Sequence, residues 1–181
     1  MKIRRSPYRI PRTEEMTPYL REVPVRILDL IKDFHITVTF AKMESGLSSS
    51  VEAKEKSFEI RINEDLGELR RRYAAAYELS RLLLDRNAVI NHPGPLVSRL
   101  FGGPDQKGAA GPEQEAARLA ISLLLPANGV RALHNAGEGP EGIGSAFLVP
   151  AAAARSRLQA LALKPHPDAR KPVTEPTGPE P

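Results

Sequence analysis

Cysteine and tryptophan are both missing from this chain of 181 residues. Without Cys there is neither a disulfide nor a thiolate metal ligand, and a reducing compartment becomes the expectation. Aromatic residues make up only 5% of the chain, so a core has to be assembled from Leu, Ile, Val and Ala. No apolar run approaches the ~20 residues that a membrane-crossing helix needs. Nor does the N-terminal stretch carry the apolar segment of a signal peptide. A soluble, cytoplasmic protein with no membrane partner is therefore expected. An excess of one charge is lacking too: 26 Lys and Arg against 22 Asp and Glu leave a net +4. Such a balance bears on association and solubility rather than on fold.

Proline, by contrast, is plentiful, and its 17 copies crowd the two ends. Residues 1–22 form a Pro-containing basic arm with Lys2, Arg4, Arg5, Arg9 and Arg12, expected to be irregular and partly extended. It either touches nucleic acid or an acidic protein surface, or it is a solvated tail, the commoner outcome for a terminus. Residues 164–181 carry no apolar periodicity and are expected to be disordered. What lies between is long enough for one domain, and an apolar content of 41% is enough to build its core.

Within that middle, Pro24 to Phe34 has a helical apolar stripe, and 36-ITVTF-40 alternates as a strand does. A turn at residues 44–50, a short strand Val51–Ala53 and a clear strand 58-FEIRI-62 follow, with Asn63 placed to cap the next helix. A long helix from Asp65 to Arg86 comes next, rich in Ala, Leu, Glu and Arg and free of Gly and Pro after its first turn. The connection 91–111 is expected to hold one helical turn at Leu96–Phe101 and a mobile Gly-rich stretch from Gly102 to Gly111. Pro112 opens a helix with Glu113 and Glu115 in its first turn, where the helix dipole favours acids, and Pro126 stops it. A short helix at 128–135 and a helix pair, Ile143–Phe147 and Pro150–Leu163, close the chain. The expected division is 23–126 for the main domain and 127–163 for a helical part similar to a helix-turn-helix.

The long helix carries the chemistry. Positions 77 and 81 are one turn apart and stack on one face, as the two His do in a helix-borne His-Glu-x-x-His zinc site with Glu as general base. Here the frame reads Tyr77-Glu78-Leu79-Ser80-Arg81. The base is kept and both imidazoles are gone. Arg offers no lone pair to a metal and stays cationic, and a tyrosinate would have to be drawn from a phenol of pKa ~10. Of the histidines, only His92 in the following loop remains a candidate for the cleft.

Six ordered segments together resemble the ImmA/IrrE family of metallo-endopeptidases: 24-PVRILDLIKDF-34 with 35-HITVTF-40, Gly46-Leu47-Ser48, 59-EIRIN-63, 71-RRYAAAYELSRLLLD-85, 115-EAARLAISLLLP-126 and 143-IGSAFLVPAAAARSRLQAL-161. The resemblance implies an α+β fold with a zincin-like core, a small three-stranded sheet packed on the motif helix plus the C-terminal helices. It puts the metal positions at Tyr77, Arg81 and Glu115, the vestigial base at Glu78, and Asp85 and Ala117 beside the cleft. Zinc is expected to be lost, leaving no cofactor. Arg81 is expected to pair with Glu115, and with Glu78, in place of the metal; the alternative is a surface contact to Glu78 alone. The resemblance then implies a catalytically inactive binding or regulatory module whose protein partner is a helix-turn-helix repressor. Two other readings stay open: an active zinc peptidase with unusual ligands, and a DNA-binding regulator. The second is not favoured, since 151-AAAA-154 can offer a DNA groove only methyl contacts.

Overall fold

The computed structural model of the protein describes residues 8–99 and 111–164. Among these, a mixed sheet of strands β1 (Thr37–Ala41), β2 (Ser49–Ala53), β3 (Phe58–Asn63) and β4 (Leu96–Ser98) is ordered β1-β3-β2-β4. β1 runs parallel to β3, and β2 lies antiparallel to both β3 and β4. Side chains alternate between the two faces of a strand. Phe58, Ile60, Ile62 and Val51 are accordingly all fully buried on one face. On the other face Lys54 and Arg61 form ion pairs with Glu52 and Glu59.

Helix α3 (Glu68–Asn91) lies across the buried face, with Ala75, Leu79 and Leu82 inaccessible to solvent. Helix α4 (Pro112–Leu124) packs along α3 through Ala116 and Ala120, small residues that let the two backbones approach. Helices α1 (Thr13–Leu20) and α2 (Ile27–Asp33) precede the sheet, while α5 (Ala127–Asn135), α6 (Pro140–Phe147) and α7 (Ala151–Ala160) follow α4. Phe147, Val149, Ala154 and Leu158 belong to the same apolar core as the sheet and α3. Two arginines tie these helices together. Arg72 donates to the carbonyls of Val25 at 2.9 Å and Phe147 at 3.4 Å. Arg157 Nε donates to Leu125 O at 2.9 Å, at the end of α4 where carbonyls lack helical partners. No described helix is long and apolar enough to cross a membrane.

Several expectations need correction. The sheet has four strands, because Leu96–Ser98 is extended rather than helical. The unpaired edge of β2 accepts the segment through Val51↔Leu96 and Ser49↔Ser98, and this pairing overrides a helical turn. The arm is not irregular throughout. Thr13–Leu20 is helical with Met16 buried, and the Glu15 carboxylate accepts the Arg12 N–H at 3.0 Å. Helix α2 begins at Ile27, not Pro24. Asn63 does not cap α3. Its Oδ1 accepts from Asp65 N and its Nδ2 donates to Leu47 O, while Gly67 stands at the helix start. Residues 1–7, 100–110 and 165–181, which include most of the Gly-rich stretch and of the tail, lie outside the described residues.

The α6–α7 turn depends on one glycine. A Cβ at Gly144 would sit 2.9 Å from Val149 O and 3.3 Å from the Ala151 Cα, both backbone atoms. Gly144→Ala should therefore destabilise the fold by about 1–3 kcal/mol, the usual range for overpacking. At Gly94 an added Cβ meets nothing within 4 Å, so Gly94→Ala should leave stability within about 0.5 kcal/mol of the parent. Chemical denaturation of the two variants side by side measures the difference, and equal midpoints would remove the close-approach argument.

Candidate functional site

Glu78 sits at the centre of the site and is fully buried, facing the sheet edge from α3. Ser49 Oγ donates to its Oε1 at 2.7 Å. Its Oε2 lies 3.5 Å from Nη1 of Arg81 and has no well-formed hydrogen bond among the described residues. Nη1 of Arg81 itself donates to Ser98 Oγ at 2.9 Å and reaches Leu96 O at 3.5 Å. The pairing of Ser49 with Ser98 across β2 and β4 thus places both hydroxyls beneath this turn of α3. Burial pushes the Glu78 carboxyl above its ordinary pKa. The Arg81 charge pulls it back, with help from the Ser98 and Ser49 hydroxyls.

Tyr77 is nearly buried, and its ring is tilted against that of Tyr73 with centroids 6.3 Å apart. Burial raises the pKa of both phenols, Tyr73 to about 12. Tyr77 is therefore a neutral phenol at neutral pH. Ser80 fits the interior because its hydroxyl donates to Ala76 O at 2.7 Å.

The expected Arg81–Glu115 pair does not form; the ion-pair partner of Arg81 among the described residues is Glu78. Glu115 is exposed. The acid of α4 whose charge reaches Tyr77 is Glu113. Glu113 is exposed as well, so neither acid of the first turn of α4 is packed against α3, which Ala116 and Ala120 meet instead. Ala117 is half-buried on α4. Asp85 serves the backbone instead: at φ −150°, ψ 78° it interrupts α3, and its Oδ1 accepts the Ala88 N–H at 2.9 Å, capping the segment that follows. His92 is exposed, its Nδ1 2.7 Å from Gly94 O.

These residues do not fit a zinc ion. A catalytic site takes about three His, Cys or carboxylate ligands from the protein. The described residues contain no group of three or more His, Cys, Asp and Glu that could hold a metal. Glu78 is occupied by Ser49 and Arg81, Tyr77 is a protonated phenol, and Arg81 repels a dication.

Across residues 31–159 the chain matches the family model of peptidase M78, described as the IrrE N-terminal-like domain. The chain belongs to the peptidase M78 family. No curated protein matches it. The M78 match begins within α2 and ends within α7, so it takes in both the sheet domain and the C-terminal helices.

Ser49 and Ser98 are the site residues that sequence reasoning missed. The run Ser48-Ser49-Ser50 was a usable signal, since serines in a strand beside an apolar helix need partners once buried. Ser98 gave none, because its strand went unrecognised.

Removing Arg81 would strand the Glu78 carboxylate in the interior. Losing one member of such a pair costs about 3–5 kcal/mol, here toward the lower end because the Arg81 side chain is 20% exposed. Glu78 already binds its proton more tightly folded than unfolded, so its contribution to stability is fullest below the unfolded pKa and declines as pH rises through the folded one. Arg81→Ala raises that folded pKa further. The destabilisation should hence be small near pH 5 and largest near pH 8, and should shrink in the double variant Arg81→Ala/Glu78→Gln. Urea melts across this pH range check it; a loss in Arg81→Ala independent of pH would show that Glu78 is not the stranded group.

Proposed function

We propose that this M78-family protein has a metallopeptidase fold without hydrolytic chemistry and works as a binding module. The observation that carries the reading is the guanidinium of Arg81 at the second ligand position, held by Ser98 and Glu78. A side-chain cation there neutralises the carboxylate and leaves no site for a Lewis acid. Glu78 is wholly inaccessible to solvent and engaged by Ser49 and Arg81, which argues against its activating a water molecule.

The partner follows from the resemblance to the ImmA/IrrE peptidases, which act on helix-turn-helix repressors. In this reading the chain binds such a repressor beside Tyr77 and Arg81 without cutting it. Direct DNA binding through α6 and α7 is less well supported. Ala153 and Ala154, at the start of α7 where a recognition helix would read bases, are buried in the protein core.

Three measurements decide the matter. Elemental analysis of protein purified without chelator should find zinc well below one ion per chain. Helix-turn-helix repressors of the same cell should form a complex visible on gel filtration and stay full-length by mass spectrometry. Stoichiometric zinc, or cleavage that a chelator abolishes, would restore the peptidase reading. Binding to random duplex that weakens steeply with salt would favour the DNA reading instead.

A further inference from the structure

A second polar site lies where the segment that precedes the family match meets Arg86 of α3. An open cavity of about 520 Å³ is lined by Tyr8, Arg9, Ile10, Pro11, Arg12, Glu15 and Arg86. Three guanidinium groups thus face one carboxylate. Arg9 is paired with Glu15. Arg12 and Arg86 have no ion-pair partner among the described residues; Arg86 Nη1 reaches only Tyr8 O, at 3.4 Å. These arginines do not hang on a loose tail. The Tyr8 ring packs on Phe58 with centroids 5.2 Å apart, the Arg9 guanidinium lies 5.1 Å over the Phe34 ring, and Pro11 is buried. The backbone that presents them is therefore anchored to the core, which lowers the ordering cost of binding.

We propose that this cavity binds a small phosphorylated anion, its phosphoryl oxygens taken by Arg12 and Arg86 with Arg9 at the rim. Guanidinium forks match phosphate oxygens geometrically. The volume falls within the ~300–1,000 Å³ of ordinary ligand pockets, larger than phosphate alone requires, so an organic body can rest against Ile10 and Tyr8. Its concave form suits a compact ligand better than the convex backbone of a duplex. Glu15 is the built-in opponent: it competes for Arg9 and repels the incoming charge. The site is independent of the proposed loss of peptidase chemistry, since its lining includes neither Glu78 nor Arg81 nor the serines that hold them.

Calorimetric titration of the full chain with inorganic pyrophosphate at low salt tests the proposal. Saturable binding is expected, weakened about tenfold by Arg12→Gln or Arg86→Gln, as befits loss of a charge-assisted hydrogen bond, and unchanged by Arg131→Gln on α5. Glu15→Gln should act in the opposite direction and tighten binding several-fold, a sign that a purely structural role would not produce. Arg12 is exposed, so its variant decides the matter if Arg86→Gln fails to fold. Absence of saturable binding, or affinity indifferent to Arg12→Gln, overturns the site. So does a short DNA duplex that binds through Arg12 and is not displaced by pyrophosphate.

Discussion

A carboxylate buried without compensation is among the costliest features a small domain can carry, and in this protein the interior is built to hold one. Glu78 is held on three sides, by Ser49 from β2, by the neighbourhood of Ser98 on β4 and by Arg81 one turn along its own helix. Each support comes from a different kind of structure. The Ser49 hydroxyl requires the register of β2 against β3, which sends Val51 and Ser49 inward together. Arg81 requires β4, because its Nη1 is held by Ser98 and the Leu96 carbonyl. Shifting either strand by one residue would turn these side chains to the opposite face of the sheet. The ion pair and the sheet edge thus specify one another.

That mutual dependence changes the meaning of the motif helix. A metal held by side chains can be exchanged or removed, and its open coordination position is where the chemistry of a metallopeptidase takes place. A guanidinium held by a serine and a carbonyl has no open position, and its charge is matched by the carboxylate beside it. On the function proposed above, the same turn of helix passes from a reaction centre to part of the packing. On that proposal, what stays available at the surface is the outer edge of Arg81, whose side chain is 20% exposed.

Where the sequence was legible, the reason was length and periodicity. Helix α3, helix α4 and strand β3 each repeat their apolar residues often enough to declare a period, and the helix pair at the C-terminus announced itself through Val149-Pro150. Strand β4 could not, since three residues cannot display an alternation and only the free edge of β2 makes them a strand. Helix α1 was hidden for a related reason: Pro18 lies inside it and Met16 is its one buried residue, so no stripe forms. The Arg81–Glu115 pair was misjudged for a reason of another sort. Order along the chain brought an acid near the motif, whereas the rotation of α4 decides which side chains face α3, and it is Ala116 and Ala120 that do, leaving Glu113 and Glu115 exposed. The serines beneath Glu78 depend on strand register, which no single strand encodes.

The interruption of α3 at Asp85 accounts for how one helix serves two unrelated sites. In an unbroken helix the orientation of residues 86–91 would be dictated by the fit of Leu79 and Leu82 against the sheet. At Asp85 the backbone leaves helical geometry, and the Asp carboxylate starts a new segment at Ala88. The second segment is free to take its phase from Val89, which is buried, and from the N-terminal strap that Arg86 meets at Tyr8. Arg81 before the break is committed to the sheet edge, and Arg86 after it to the strap. A short polar residue in an extended conformation is what separates the two, since it both ends one helix and satisfies a free amide, that of Ala88, in the first turn of the next.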